Sequence, residues 1–131
     1  NNVFKESSRI NSTFGGNFID VMRLKLIMEV IEKENLVENA RNVGVYLLEQ
    51  LIRLEQKFPN MISNARGKGL MCAIDLPTAE QRNALIHELY EDGLISLGCG
   101  TKSIRFRPHL NVTKEEIQLS IDKFYKALEK K

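Results

Sequence analysis

The succession of hydrophobic patterns along the chain constrains its fold more than any other feature of the sequence. Four segments repeat apolar residues at the three-to-four-residue spacing of a helix, and four short runs have the character of strands. Their order is helix, helix, strand, strand, helix, strand, strand, helix. Neighbouring short strands pair most simply as antiparallel hairpins. The sequence therefore predicts an α+β domain, in which helices pack on one face of a mostly antiparallel sheet of three or four strands.

The helical segments differ in how much of their surface is apolar. The segment from Asn17 to about Lys33 is apolar around more than half its circumference, which predicts a well-buried helix. The segment from Leu36 to Phe58 carries a single apolar stripe. Gly44 lies inside it at a cost of about 1 kcal/mol relative to alanine, so we expect close packing there. Capping boxes at Thr78–Gln81 and Thr113–Glu116 predict the starts of the last two helices.

The strand segments are short and bounded by glycine. Residues 70–76 alternate in a pattern that predicts a strand buried on both faces except at Asp75. The preceding Gly67–Gly69 segment lacks the spacing of a phosphate-binding loop, and it predicts a turn or a bulge. Residues 94–97 and 103–107 predict a hairpin across a second glycine-bounded turn.

The last predicted strand carries two arginines on one face. Ile104 and Phe106 would point to one side of the strand, and Arg105 and Arg107 to the other. Pro108 ends the ladder because it has no N–H to donate. Arginine is a rigid bidentate donor that stays charged, so this strand is suited to a carboxylate or a phosphate. A solvated edge strand with two surface arginines explains the same pattern.

A second candidate anion site lies near the start of the chain, where Ser12, Thr13 and Phe14 precede the pair Gly15 and Gly16. Glycine lets backbone N–H groups approach an anion closely, and a helix follows at once. A simple linker that leads into a capped helix accounts for these residues equally well.

Composition and isolated residues exclude several classes of function. The 131 residues carry a net charge of +2, which gives no drive towards nucleic acid or a membrane, and no apolar run approaches the roughly 20 residues needed to span a bilayer. Cys72 and Cys99 lack metal-type spacing, so we expect reduced thiols in a cytoplasmic protein and no bound metal. His87 and His109 are expected at the surface or in a loop. The residues offer no nucleophile or general base, which is typical of a binding module or an incomplete enzyme.

Four motifs together resemble the C-terminal part of the class III (ω-type) aminotransferases, a family that uses pyridoxal 5'-phosphate. They agree in order and separation, and they are Thr13-Phe14-Gly15-Gly16-Asn17, Gly67-Lys68-Gly69-Leu70-Met71, Arg105 to Leu110 and Thr113 to Ile117. The resemblance covers essentially all 131 residues. Within the family, Ser8–Thr13 and Ile104–Pro108 are most similar to members that act on the ε-amino group of lysine.

The resemblance implies a division of the chain. Residues 1–16 would form a linker and cofactor-phosphate loop from the large domain, and residues 17–131 the small C-terminal domain of a fold-type I transferase. In this family the lysine that forms the Schiff base lies well upstream of the threonine loop. Lys5 is too close to that loop to take this role, so these 131 residues alone are expected to be inactive.

The resemblance also implies roles for individual residues. Thr13 would bind the phosphate of pyridoxal 5'-phosphate across the interface of a homodimer, with Asn11 and Ser12 assisting from the same loop. Arg105 would bind the α-carboxylate of the substrate, and Arg107 would be structural or would support the residues that contact the substrate. The whole protein would transfer the ε-amino group of L-lysine to 2-oxoglutarate. Ornithine, 4-aminobutyrate or acetylornithine as the donor, or a stand-alone α+β module that binds small molecules, are the alternatives.

Overall fold

The computed structural model describes residues 5–7 and 12–130, which form helices and strands in the predicted order. The helices are α1 (Phe18–Lys33), α2 (Leu36–Lys57), α3 (Ala79–Glu91) and α4 (Lys114–Leu128), and the strands are β1 (Ser63–Lys68), β2 (Met71–Asp75), β3 (Leu97–Cys99) and β4 (Ser103–Phe106). All strand pairs are antiparallel, and the strands lie in the order β1-β2-β4-β3. The predicted α+β class is confirmed.

The chain divides into two compact units, Asn1–Glu34 and Asn35–Lys131. The first unit contains α1, which begins where the Asn17 side chain accepts a hydrogen bond from the Ile19 N–H at 2.9 Å. The division predicted at residue 16 concerns the longer protein implied by the resemblance, and it stays a prediction.

The prediction that α1 is well buried is wrong. None of its residues is buried, and all its apolar side chains except the half-buried Ile31 are exposed, among them Phe18, Ile19, Val21, Leu24 and Leu26. A helix that is apolar on most sides needs neighbours on most sides. The described part of Asn1–Glu34 contains no second helix or strand that could supply them. Within the described ranges, no helix is long and apolar enough to cross a membrane.

The second unit has one hydrophobic core between the sheet and its helices. The apolar stripe of α2 supplies Val43, Leu47, Leu51 and Leu54, all of them buried. Helix α4 supplies Ile117, Ile121, Phe124 and Leu128, and the sheet supplies Cys72, Ile74 and Ile104. The Phe106 ring packs against Phe124 with the ring centroids 5.4 Å apart. The stripe predicted for the second helix is therefore the core-facing side of α2.

The close packing expected at Gly44 is present. A Cβ atom built at this position would lie 2.3 Å from the carbonyl carbon of Gly69, closer than any side chain could tolerate. Gly69 has a φ of +56°, a left-handed conformation that favours glycine, and forms the turn between β1 and β2. Helix α2 therefore touches the β1–β2 turn backbone to backbone.

The prediction that the strand at 70–76 is buried on both faces is wrong. Cys72 and Ile74 are buried, whereas Met71 on the opposite face is 68% exposed and Ala73 is half-buried. The residues facing away from the core have no layer above them in the second unit, because its helices all lie on the other side of the sheet. The face that carries Met71 and Ala73 is called the open face below.

The hairpins differ slightly from their predicted bounds. Strand β1 runs through Gly67 to Lys68, so that only Gly69 and Leu70 form the turn. Strand β3 begins at Leu97 and not at residue 94. Thr113 forms the predicted capping box with Glu116, through hydrogen bonds of 3.2 and 2.8 Å.

Candidate carboxylate site on the open face of the sheet

Arg105 lies in the middle of the open face. It pairs with Ala73 of β2 on one side and with Leu97 of β3 on the other, and Ala73 pairs in turn with Arg66 of β1. Directly paired residues of antiparallel strands point to the same face. The four side chains therefore form a row across the sheet, in the order Arg66, Ala73, Arg105, Leu97.

The Arg105 guanidinium is exposed and unpaired. Ile104 is buried in the core and Arg105 and Arg107 are exposed, as the alternation predicted. Within residues 5–7 and 12–130, the Arg105 side chain forms no hydrogen bond or ion pair. The small Ala73 side chain leaves room beside it. An accessible guanidinium of this kind can receive a carboxylate through two parallel hydrogen bonds.

Arg66, on the other side of Ala73, is held by contacts within the protein. Its Nη1 donates to Oδ1 of Asp75 at 2.9 Å, and its Nη2 donates to the Ser103 hydroxyl at 3.2 Å. Nη1 also donates to the Asn64 carbonyl at 2.9 Å. The row therefore contains one guanidinium that is bound by the protein and one that is not.

Asp75 is the centre of a hydrogen-bond network on the open face. Besides Arg66, it accepts hydrogen bonds from the Ser103 hydroxyl at 2.6 Å and from the Asn64 amide at 2.9 Å. Its side chain is only 13% exposed. Burial alone would raise the pKa of this carboxyl, but the hydrogen bonds from Ser103, Asn64 and Arg66 outweigh burial and hold the pKa below its usual value. Asp75 is therefore an anion at neutral pH.

The network is anchored at a bulge in β1. The pairing of β1 with β2 shifts register between Ser63 and Arg66, and Asn64 has a φ of 55°. The Glu55 carboxylate of α2 accepts the N–H groups of Asn64 at 2.8 Å and Ala65 at 3.1 Å. This contact fixes the bulge, and so it directs the Asn64 amide towards Asp75.

A second arginine holds the start of β4 from the helical side. Nη1 of Arg82 in α3 donates to the Ser103 carbonyl at 3.1 Å. Arg82 reaches this carbonyl by passing over Gly98, where a Cβ atom would lie 2.6 Å from its Nη1. Ser103 is therefore bonded from β1, β2 and α3, two residues before Arg105.

Sequence reasoning missed Asp75, Arg66, Ser103 and Arg82. One signal was available, since Asp75 is the only charged residue in the apolar run 70–76. Its partners could not be found in the same way, because their contacts depend on the strand order and on the bulge. His87 and His109 are exposed, as expected, and Cys72 is buried, which raises the pKa of its thiol to about 11.

Strand β4 also borders a cavity of about 300 Å³. Its walls are mainly apolar, and they include Leu47, Leu97, Phe106, Ile121 and Phe124 together with Arg105, Arg107 and Ser96. The Ser96 hydroxyl is buried and has no hydrogen-bond partner among the described residues. The site around Arg105 thus combines a free cation with an apolar recess.

The other predicted anion site lies in the first unit. Ser12 and Thr13 are both exposed, and the turn is closed by hydrogen bonds from the Gly15 N–H to the Ser12 carbonyl and from the Asn17 N–H to the Phe14 carbonyl. Two exposed hydroxyls beside residues without side chains fit a phosphate group in chemistry and in space. Asn11, the third predicted member, lies outside the described residues.

Comparison with known proteins identifies the class to which this fold belongs. Over 97% of its length the chain superimposes on a solved lysine aminotransferase from M. tuberculosis, with a TM-score of 0.88 and 44% identity. The fold is therefore that of the small domain of a pyridoxal-phosphate-dependent aminotransferase. The family profile described as aminotransferase class-III matches residues 1–128. This chain belongs to the class III aminotransferases.

Curated relatives agree with this assignment. The chain is 44% identical, over 92% of its length, to the L-lysine-epsilon aminotransferase of Amycolatopsis lactamdurans. It is 39% identical, over 78% of its length, to the mitochondrial 4-aminobutyrate aminotransferase of Homo sapiens. The matched region spans 27% of the first relative and 20% of the second. The chain therefore covers about a quarter of the length of these enzymes.

Proposed function

We propose that this chain is the C-terminal part of a longer, homodimeric enzyme that transfers the ε-amino group of L-lysine to 2-oxoglutarate. The observation that carries the proposal is the 44% and 45% identity to relatives named L-lysine-epsilon aminotransferase. Relatives named 4-aminobutyrate aminotransferase are less similar, at 34% and 39% identity. The reaction would release glutamate and a semialdehyde that cyclises.

The threonine loop would hold the cofactor. Pyridoxal phosphate, when bound, supplies the electron sink for carbanion chemistry at the carbon that carries the nitrogen. Thr13 would donate a hydrogen bond from its hydroxyl to the phosphate across the dimer interface, and Ser12 and Asn11 would assist. The exposure of the Ser12 and Thr13 hydroxyls supports this role.

Arg105 would bind the carboxylate next to the reacting carbon. Its exposed, unpaired guanidinium supports this role. When the ε-amino group of lysine reacts, the reacting carbon has no carboxylate beside it, whereas the reacting carbon of 2-oxoglutarate does. We therefore assign Arg105 to the α-carboxylate of 2-oxoglutarate and of the glutamate formed from it.

The 131 residues alone would not catalyse the reaction. The family places the lysine that binds the cofactor upstream of the threonine loop, so this chain would lack it. Added pyridoxal phosphate should give a stable protein-bound absorption band with the longer protein and none with the chain alone. Tight cofactor binding by the chain alone would favour the stand-alone binding module.

A panel of amino donors tests the substrate. The longer protein, supplied with 2-oxoglutarate, should form glutamate from L-lysine faster than from L-ornithine, N-acetylornithine or 4-aminobutyrate. Conversion of 4-aminobutyrate with L-lysine untouched would overturn the lysine assignment, and it would leave the family assignment in place.

A further inference from the structure

We propose that Arg66 is a positioning residue that keeps Arg105 free for substrate by holding Asp75. The inference rests on the proposed role of Arg105 as the carboxylate-binding residue. It concerns two arginines that compete for one carboxylate on the open face of the sheet.

The pairing register places Asp75 within reach of both arginines. Arg66 and Arg105 both pair with Ala73, and Asp75 lies two residues further along β2 on the same face. Each arginine is therefore a diagonal neighbour of Asp75. Diagonal neighbours on a sheet have Cα atoms about 7–8 Å apart, a distance that a long side chain spans.

Arg66 forms an ion pair with the Asp75 carboxylate, and Arg105 does not. The Arg66 guanidinium bonds Asp75, Ser103 and the Asn64 carbonyl at once, and its position is set by the bulge that Glu55 anchors. Ser103 and Asn64 also donate to Asp75, so both of its carboxylate oxygens are used. The Asp75 carboxylate is therefore hydrogen-bonded and paired with a cation without Arg105.

Loss of Arg66 would change this balance. Asp75 is only 13% exposed, and a shielded carboxylate without its cation is strongly unfavourable. By register, Arg105 is the nearest remaining cation on the open face, because Lys68 pairs with Met71 at the far end of β2 and Arg107 lies two residues beyond Arg105 along the chain. Arg105 would then pair with Asp75, and its guanidinium would no longer be available to a substrate.

The test uses the longer enzyme and two acceptors. One is 2-oxoglutarate, and the other is 4-oxobutanoate, which has the same chain without the α-carboxylate. The ratio of their kcat/KM values reports how well the α-carboxylate is bound. Because both values are proportional to the concentration of active enzyme, the ratio does not change when a variant folds poorly.

We expect Arg66→Met to lower this ratio roughly tenfold, the factor for about one charge-assisted hydrogen bond. The double variant Arg66→Met/Asp75→Asn should return the ratio towards that of the unmodified enzyme, since Arg105 then has no carboxylate to pair with. Asp75→Asn alone should leave the ratio nearly unchanged. Arg41→Met, which removes an exposed arginine of α2 that pairs with Glu38, is the matched control and should change nothing.

A low ratio in the double variant would overturn the inference, because a purely structural role of Arg66 predicts no rescue. An unchanged ratio in Arg66→Met would overturn it as well. Arg105→Met separates the two claims: it should lower the ratio on the order of a hundredfold. If it does not, the proposed role of Arg105 is wrong, whatever Arg66 does.

A structural readout is available on the 131-residue chain itself. The ¹⁵N-labelled Nε–Hε signal of Arg105 should shift in Arg66→Met and return in the double variant. A signal that is the same in all three proteins would show that Asp75 does not capture Arg105.

Discussion

Arg66 and Arg105 flank the same alanine on the open face of the sheet, but only Arg66 bonds to the carboxylate of Asp75. The two side chains have the same chemistry and nearly symmetric positions. The difference comes from the bulge in β1, which gives Arg66 several partners at once. Of the two arginines beside Ala73, Arg66 is thus a structural cation and Arg105 is available to a ligand.

Asp75 should make the domain sensitive to acid. A carboxyl whose pKa is lowered by folding stabilises the native state fully above its unfolded pKa of about 3.9, and this contribution disappears as the pH falls through the lower, folded value. Asp75→Asn should therefore cost about 1–3 kcal/mol at neutral pH. The difference from the unmodified chain should shrink as the pH falls below about 4.

Urea unfolding of both proteins between neutral and acid pH measures this difference. Asp20→Asn is the control, because Asp20 forms an exposed ion pair with Arg23 in α1. It should change the free energy of unfolding by well under about 1 kcal/mol. A gap between Asp75→Asn and the unmodified chain that stays constant with pH would contradict the role given to the Asp75 network.

Gly44→Ala should destabilise the chain. Helix propensity alone predicts a gain of about 1 kcal/mol, since Gly44 lies inside α2. The contact with the Gly69 backbone predicts the opposite sign, with a loss of about 1–3 kcal/mol or more from overpacking. Thermal unfolding decides between the two, with Val45→Ala at the neighbouring exposed position as control. A stabilised Gly44→Ala variant would mean that α2 and the β1–β2 turn are not in backbone contact.

Thr13→Val should weaken cofactor binding by the longer enzyme. The substitution keeps the shape of the side chain and removes the hydroxyl, so the expected loss is that of one hydrogen bond to a charged group, roughly tenfold or more in affinity. Equilibrium binding of pyridoxal 5'-phosphate should show this loss, and binding of pyridoxal, which has no phosphate, should not. Equal losses for both molecules would contradict a phosphate contact at Thr13.

The isolated chain should self-associate through α1. Nine large apolar side chains of this helix are exposed, from Phe18 to Val30. Exposed apolar surface of this extent favours association in water. Sedimentation velocity should show a mass that rises with concentration, and Leu24→Lys/Ile27→Lys should reduce it. A monomer at all concentrations would show that α1 is not sufficient for association.

The sequence predicted the order of the elements and the faces of β4 because these depend on local periodicity. It also predicted close packing at Gly44, because a glycine inside a helix is destabilising relative to alanine unless a neighbour leaves no room for a side chain. It failed for β2 and for α1, where burial depends on which layers surround an element. An apolar residue such as Met71 or Leu24 has the same sequence signature whether or not a neighbour covers it.

The Asp75 network shows a different limit. Its members come from β1, β2, β4 and α3, and the contact between Arg66 and Asp75 depends on a bulge whose anchor, Glu55, is in α2. No spacing in the sequence encodes such a set of contacts. The strand pattern indicates only that Arg105 suits an anion, because an exposed arginine on a strand is common, and the role proposed for it as the substrate-carboxylate residue comes from the family resemblance.

Transfer of an isotope from lysine tests the central claim most directly. The longer enzyme is incubated with 2-oxoglutarate and with L-lysine labelled with ¹⁵N at either the ε or the α position, and the glutamate formed is analysed by mass spectrometry. Our account predicts labelled glutamate from ε-¹⁵N-lysine and unlabelled glutamate from α-¹⁵N-lysine. Label arriving from the α position, or no glutamate from lysine at all, would contradict it.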